Sequence, residues 1–198
     1  MKRLTFVTLL ISSLLFACGV EHNEHTPTMS NQKEENNLED SLSSDASQIK
    51  PISVFVEGET EMRDAQFHRG GLGYSIYILQ EGYLLDSEEP NRDVILSTFD
   101  RQFFTRITVH ETYDAQSLRE DIMNHATGPI QEAEDVPLDD TEYALVEKSQ
   151  DGSESIMIMH VAKEYNGHLL QFTLFLPQTE AVEGIEPSMW AMLQTVEF

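Results

Sequence analysis

From residue 52 onward the apolar positions recur every second residue, the spacing of strands whose alternate side chains are buried. Ile52, Val54 and Val56 alternate with Ser53 and Phe55, and Glu57-Gly58 closes that run. Residues 59–70 are polar and read as a further strand or an irregular crossing. Gly70, Gly71 and Gly73 make a turn-rich entry to a strand over 74–79. A dinucleotide fingerprint needs a helix after its glycines, and here a strand follows. Residues 83–85 read as a short strand, 87–93 as a polar loop around Pro90, and 94–99 and 103–110 as two more strands. In the last of these, Phe103, Thr105, Ile107 and Val109 share one face, and Phe104, Arg106, Thr108 and His110 the other.

The period lengthens after Asp114, an N-cap residue type. Ala115, Leu118, Ile122 and Ala126 then form one helical stripe with Met123 beside it, and Gly128-Pro129 ends the helix. A second polar loop, 131–141, carries Glu132, Glu134, Asp135, Asp139 and Asp140. Its carboxylates suit Ca²⁺ in type, but their spacing is not that of an EF-hand loop. Next come three strands, 143–148, 153–163 and 169–176, joined by Asp151-Gly152 and Asn166-Gly167. Both dipeptides suit two-residue hairpin turns. The second turn pairs Val161 with Phe172, Met159 with Leu174 and Ile158 with Phe175. The first pairs Val146 with Met157 and Leu145 with Ile158, and it sets His160 opposite Tyr143. Apolar residues fall on both faces of this meander, so both faces need cover. Residues 180–193 are helical in character, with Gly184 and Pro187 as interruptions and Pro187 as the first residue of a second segment. Residues 195–198 read as a closing strand. The fold class that follows is α+β: a mostly antiparallel sheet with helices packed on it.

The N-terminus has a different pattern. Lys2 and Arg3 precede an uncharged apolar run, residues 4–17. A basic start, an apolar core and a small residue at its end mark a secretory signal, and the positive end stays in the cytoplasm. The alternatives are an uncleaved anchor helix, since residues 4–20 are just long enough to span, and an ordinary cleaved signal that leaves a free cysteine. The stretch Leu15-Phe16-Ala17-Cys18-Gly19 resembles the lipobox of bacterial lipoproteins; Leu15, Ala17, Cys18 and Gly19 match, and Phe16 stands where a small or β-branched residue is usual. The resemblance implies cleavage before Cys18, a diacylglycerol on its sulfur, acyl chains such as palmitate, and a place on the outer face of the cell membrane. Several acyl chains anchor stably where one is marginal.

Cys18 is the only cysteine, so no intrachain disulfide braces the fold. The chain carries 12 Lys+Arg against 35 Asp+Glu. Removal of residues 1–17 takes away Lys2 and Arg3 and no acid, which moves the formal charge from −23 to −25. Such a chain lacks the basic footprint of nucleic-acid binding and is repelled by anionic lipid, so a lipid anchor must hold it. Residues 18–50 are polar and without aromatics, the composition of a disordered acidic tether. His22 and His25 lie there in Glu-His-Asn-Glu-His, ligand types for Zn²⁺ or Cu²⁺ but with nothing to fix them as metal ligands. The expected organisation is a signal peptide over 1–17, a lipidated Cys18 with its tether over 18–50, and a single α+β domain over 51–198.

Three stretches carry a second resemblance: Gly73-Tyr74-Ser75-Ile76-Tyr77, Ser117-Leu118-Arg119-Glu120-Asp121, and Trp190 through Phe198. With the order of elements they resemble the PsbP-like α/β/α sandwich, whose members are mostly binding or assembly-support proteins. No nucleophile elbow, zinc-protease helix, phosphate loop or Cys-x-x-Cys pair occurs. Arg106 and His110, on one strand face, are the one polar pair that suggests a site. The expectation is a membrane-anchored, extracytoplasmic, non-catalytic binding or assembly module. It takes no cofactor or metal, has an envelope protein partner and does not bind nucleic acid. An envelope enzyme built from dispersed His, Arg and carboxylates is the alternative, as is a binder of small ligands or cations. A deep pocket around Arg106 and His110 would favour the enzyme.

Overall fold

The computed structural model describes residues 48–198; Cys18 with its flanking motif, His22, His25 and the tether up to residue 47 lie outside the described residues. The first three strands are β1 (Ile49–Val56), β2 (Glu59–Arg69) and β3 (Ser75–Leu79), an antiparallel sheet in the order β1-β2-β3. Ile49 and Lys50 therefore belong to a strand, although their polar neighbours made them read as tether. Glu57 and Gly58 take positive φ of 52° and 85°, the twist a two-residue hairpin needs. Residues 59–69 consequently run straight back along β1 as a full strand.

Seven further strands make the larger antiparallel sheet: β4 (Tyr83–Glu89), β5 (Arg92–Ser97), β6 (Phe104–His110), β7 (Ile130–Glu132), β8 (Tyr143–Asp151), β9 (Glu154–Tyr165) and β10 (His168–Pro177). Their order is β4-β5-β6-β10-β9-β8-β7. The expected loop over 87–93 is mostly strand, because its charges pair on the sheet surface. Arg92 lies 3.6 Å from Glu88 and 3.5 Å from Glu89, and only Pro90 and Asn91 are left to turn. Likewise Gln131 and Glu132 fall in the short edge strand β7, not in a loop.

The β9–β10 register is the expected one, with Val161 opposite Phe172 and Met159 opposite Leu174. Asn166 and Gly167 both have positive φ, 52° and 84°, and hold that turn. The β8–β9 register is shifted by two: Val146 faces Met159 and Leu145 faces His160. The turn there is Gly152-Ser153, with Gly152 at φ 61°, so Asp151 and Glu154 form the closing pair. A shift of two preserves which side chains share a face. It moves His160 away from Tyr143, whose partner is Ala162.

Helix α1 (Ala115–His125) starts at Asp114, whose carboxylate accepts from the Ser117 backbone N–H at 2.9 Å. Leu118, Tyr143, Leu145, Ala162 and Leu169 bury together beneath it, with Ala115 and Ile122 beside them. On the other face Ile107, Phe172, Val161 and Ala144 stand side by side across four strands. They pack into the main core with β1, β3 and helix α2 (Val182–Leu193). That helix is continuous and is not split at Pro187. Ile185, Met189, Trp190, Met192 and Leu193 are all buried, and this burial outweighs the one hydrogen bond that a proline omits. The expected closing strand is a single bridge between Glu197 and Ser75, with Thr195 Oγ1 accepting from the Tyr77 N–H at 2.9 Å. The result is an α+β fold, mostly antiparallel sheet, with helices packed on it.

Candidate functional site

Alternation along β1 sends Ile52 and Val54 into the core and turns Ser53 and Phe55 outward, leaving Phe55 64% exposed. Along α2, Glu186, Pro187, Trp190, Ala191 and Gln194 recur at helical spacing, so they share one side. β1 and this side of α2 form a groove with Pro137 of the 133–142 loop. Its volume is about 340 Å³, within the range of small-ligand clefts. Gln194 ties the loop down by donating from Nε2 to the Pro137 carbonyl at 2.6 Å, and buried Leu138 anchors the next residue.

Phe55, Pro137, Pro187, Ala191 and the exposed margin of Trp190 supply the apolar lining. Trp190 Nε1–H donates to Glu186 Oε1 at 3.2 Å, which fixes the carboxylate beside the indole. Among the described residues, Glu186 Oε2 and Gln194 Oε1 make no hydrogen bond, so both stand ready to accept. No Lys, Arg or His lines the groove.

Arg106 and His110 lie elsewhere, on the side of the sheet that also carries α1, with His110 opposite Leu169. Arg106 donates to both oxygens of Glu88, at 2.7 and 2.9 Å, and holds that carboxyl below its ordinary pKa. Its guanidinium rests 5.2 and 5.1 Å from the rings of Phe104 and Phe175, themselves stacked at 4.2 Å. His110 Nε2 sits 3.0 Å from Gln171 Oε1, with Thr108 intervening along the strand. Neither residue lines the groove between β1 and α2. Of the acidic loop, Glu132 is ion-paired with Arg119, and the Asp139 carbonyl accepts from Lys163 Nζ at 2.8 Å.

A buried polar cluster lies beside α1. Glu147 Oε1 accepts from Thr127 N–H, Thr127 Oγ1 and Gly128 N–H, at 2.8, 2.8 and 3.0 Å. Burial alone would raise its pKa; these donors, with His160 beside them, hold it below the ordinary value. His160 Nε2 is 3.5 Å from Glu147 Oε2, outside hydrogen-bond geometry, and both its ring nitrogens and the Tyr143 hydroxyl are unpartnered. Burial lowers the His160 pKa against the opposing pull of Glu147.

Sequence reasoning missed the groove because its walls come from residues some 130 positions apart. The one local signal was Phe55, a large apolar side chain in the outward phase of a half-buried strand.

The fold and this groove define a two-sheet α+β protein with a cleft between an edge strand and a helix. The family model described as Domain of unknown function (DUF8580) matches residues 46–197, and the chain belongs to that family. No curated protein matches the chain.

Proposed function

We propose that the chain is a lipoprotein, anchored through Cys18 to the outer face of a cell membrane, whose folded region is a non-catalytic binding or assembly module. The observation that carries this reading is the groove itself. Its apolar lining and few fixed acceptors are the make-up of a ligand-holding cleft. Arg106 and His110 are each engaged by a neighbouring side chain, which favours a structural role for both. The finer assignment, a PsbP-like α/β/α sandwich, belongs to the same proposal. It is supported by α1 against one sheet face, α2 against the other and the β8-β9-β10 meander. The anchor is supported by Leu15-Phe16-Ala17-Cys18 and by a charge that disfavours electrostatic adhesion to anionic lipid.

Two measurements test it. Cys18→Ala is expected to release the protein from membranes and change its mature mass; retention with unchanged mass would sink the anchor. In-cell crosslinking and mass spectrometry are expected to find an envelope partner that is lost when residues 51–198 are deleted. Crosslinks that survive the deletion would take the module role away from the folded region.

A further inference from the structure

Resting on that binding-module reading, we infer that the groove between β1 and α2 holds an organic ammonium compound, an amine joined to an apolar body. Three observations converge. The unengaged polar atoms of Glu186 and Gln194 are acceptors, the Ser53 hydroxyl can accept as well as donate, and no cationic side chain lines the cavity, so the lining favours an occupant that brings donors. An ammonium head brings three, with a charge opposite to that of Glu186. The surrounding lining is Phe55, Pro137, Pro187 and Ala191, which calls for an apolar body behind the head. The chain as a whole carries 35 acids against 12 bases, and such a field draws cations toward the cleft and repels carboxylates and phosphates.

The arrangement at Glu186 selects for a cation over a neutral donor. Oε1 is engaged by the Trp190 indole N–H, which orients the carboxylate and leaves Oε2 free to accept. Any donor there meets an ionised acceptor, and an ammonium adds a full opposite charge that an alcohol lacks. Phe55 and the Trp190 margin add aromatic surface that favours a cation nearby.

Trp190 is the only tryptophan in the chain, so its fluorescence reports on the groove directly. The test titrates full-length protein in detergent with phenethylammonium, its neutral counterpart 2-phenylethanol and its anionic counterpart phenylacetate. Phenethylammonium is expected to change Trp190 emission saturably. Phenylethanol, which lacks the charge, should bind at least about tenfold more weakly, and phenylacetate should leave the signal flat. Glu186→Gln should bring the ammonium down to the level of the alcohol, and Phe55→Ala should weaken both. Added salt should weaken the ammonium alone. Equal affinity for ammonium and alcohol, or an unchanged ammonium affinity in Glu186→Gln, overturns the assignment, as does a flat response to all three probes. In any of those cases, a crosslinked envelope partner would still leave the module reading standing.

Discussion

Tyr74 donates its hydroxyl to Asp93 Oδ2 across 2.6 Å, inside the core. The bond joins the lead-in to β3 in the smaller sheet to β5 in the larger one. Ser87 Oγ satisfies the other carboxyl oxygen at 2.8 Å. Burial and Asp93 push the Tyr74 hydroxyl far above the ordinary tyrosine range, so it remains a donor throughout the working pH range. Tyr74→Phe keeps the ring and leaves Oδ2 without its donor. Urea unfolding should show a loss of about 1–3 kcal/mol. Ser87→Ala, whose bond is only part-buried, should lose less. Equal stability of Tyr74→Phe and wild type would contradict the role given to this bond.

Acid should loosen the protein in two stages. His160 has a folded pKa below its unfolded 6.5, because it is buried. Above 6.5 it contributes no pH dependence. As the pH falls through that value, the unfolded chain takes a proton that the folded one resists, and stability drops by at most about 1.4 kcal/mol per pH unit. Glu147 is the opposite type of group but gives the same sign. Its folded pKa lies below 4.5, so its contribution is present above that value and is lost as the pH falls through the folded pKa. His68, also lowered by burial, adds to the first stage. Unfolding free energy measured from pH 7.5 to 5.5 should therefore slope less in His160→Gln than in wild type. Parallel slopes would remove His160 from the account.

Gly128 sits where the chain leaves α1 and meets β8. A Cβ there would overlap the Lys148 backbone oxygen, which is not a flexible side-chain end. Gly128 also donates to Glu147. Gly128→Ala should lower stability by about 1–3 kcal/mol and, by weakening a donor that holds the Glu147 pKa down, make the acid loss that Glu147 contributes shallower. Gly184→Ala, with open space around the added carbon, should be neutral or raise stability by about 0.4–1 kcal/mol. Thermal midpoints of the two variants moving in the same direction would refute this contrast.

Arg106→Ala removes a part-exposed ion pair and its contact with two stacked rings. The change in urea unfolding should be below about 1 kcal/mol. A much larger loss would mean that this part of the sheet depends on Arg106 more than its geometry indicates.

The strands were legible where one face alone is buried. Residues 103–110 announced their faces through Phe103, Thr105, Ile107 and Val109, and all four are buried. The β9–β10 register was legible because Asn166-Gly167 permits one two-residue turn. The β8–β9 register was not, since Asp151-Gly152 and Gly152-Ser153 both suit a turn and pattern cannot separate registers that differ by two. Polar strands also escaped: Ser87, Glu88, Glu89 and Arg92 look like a loop until their charges are seen to pair across strands. Of the candidate site, Phe55 alone left a local signal, as a large apolar side chain in the outward phase of a strand. Its meeting with Glu186 and Trp190 left none, because a tertiary contact has no local periodicity.

The centre of the large sheet, where β6 lies against β10, joins Phe104 to Phe175 and His110 to Leu169. Each partner belongs to its own run of neighbouring hairpins, β4-β5-β6 on one side and β8-β9-β10 on the other. Each run can close over short loops, whereas the junction between them must close a loop of roughly sixty residues or more, whose entropy is lost before Ile107 and Phe172 are buried together. The slow step of folding should therefore be the docking of two preformed hairpin arrays along this line. Substitutions at Ile107 or Phe172 would then slow refolding, while equally severe ones at the sheet's margins would mainly hasten unfolding.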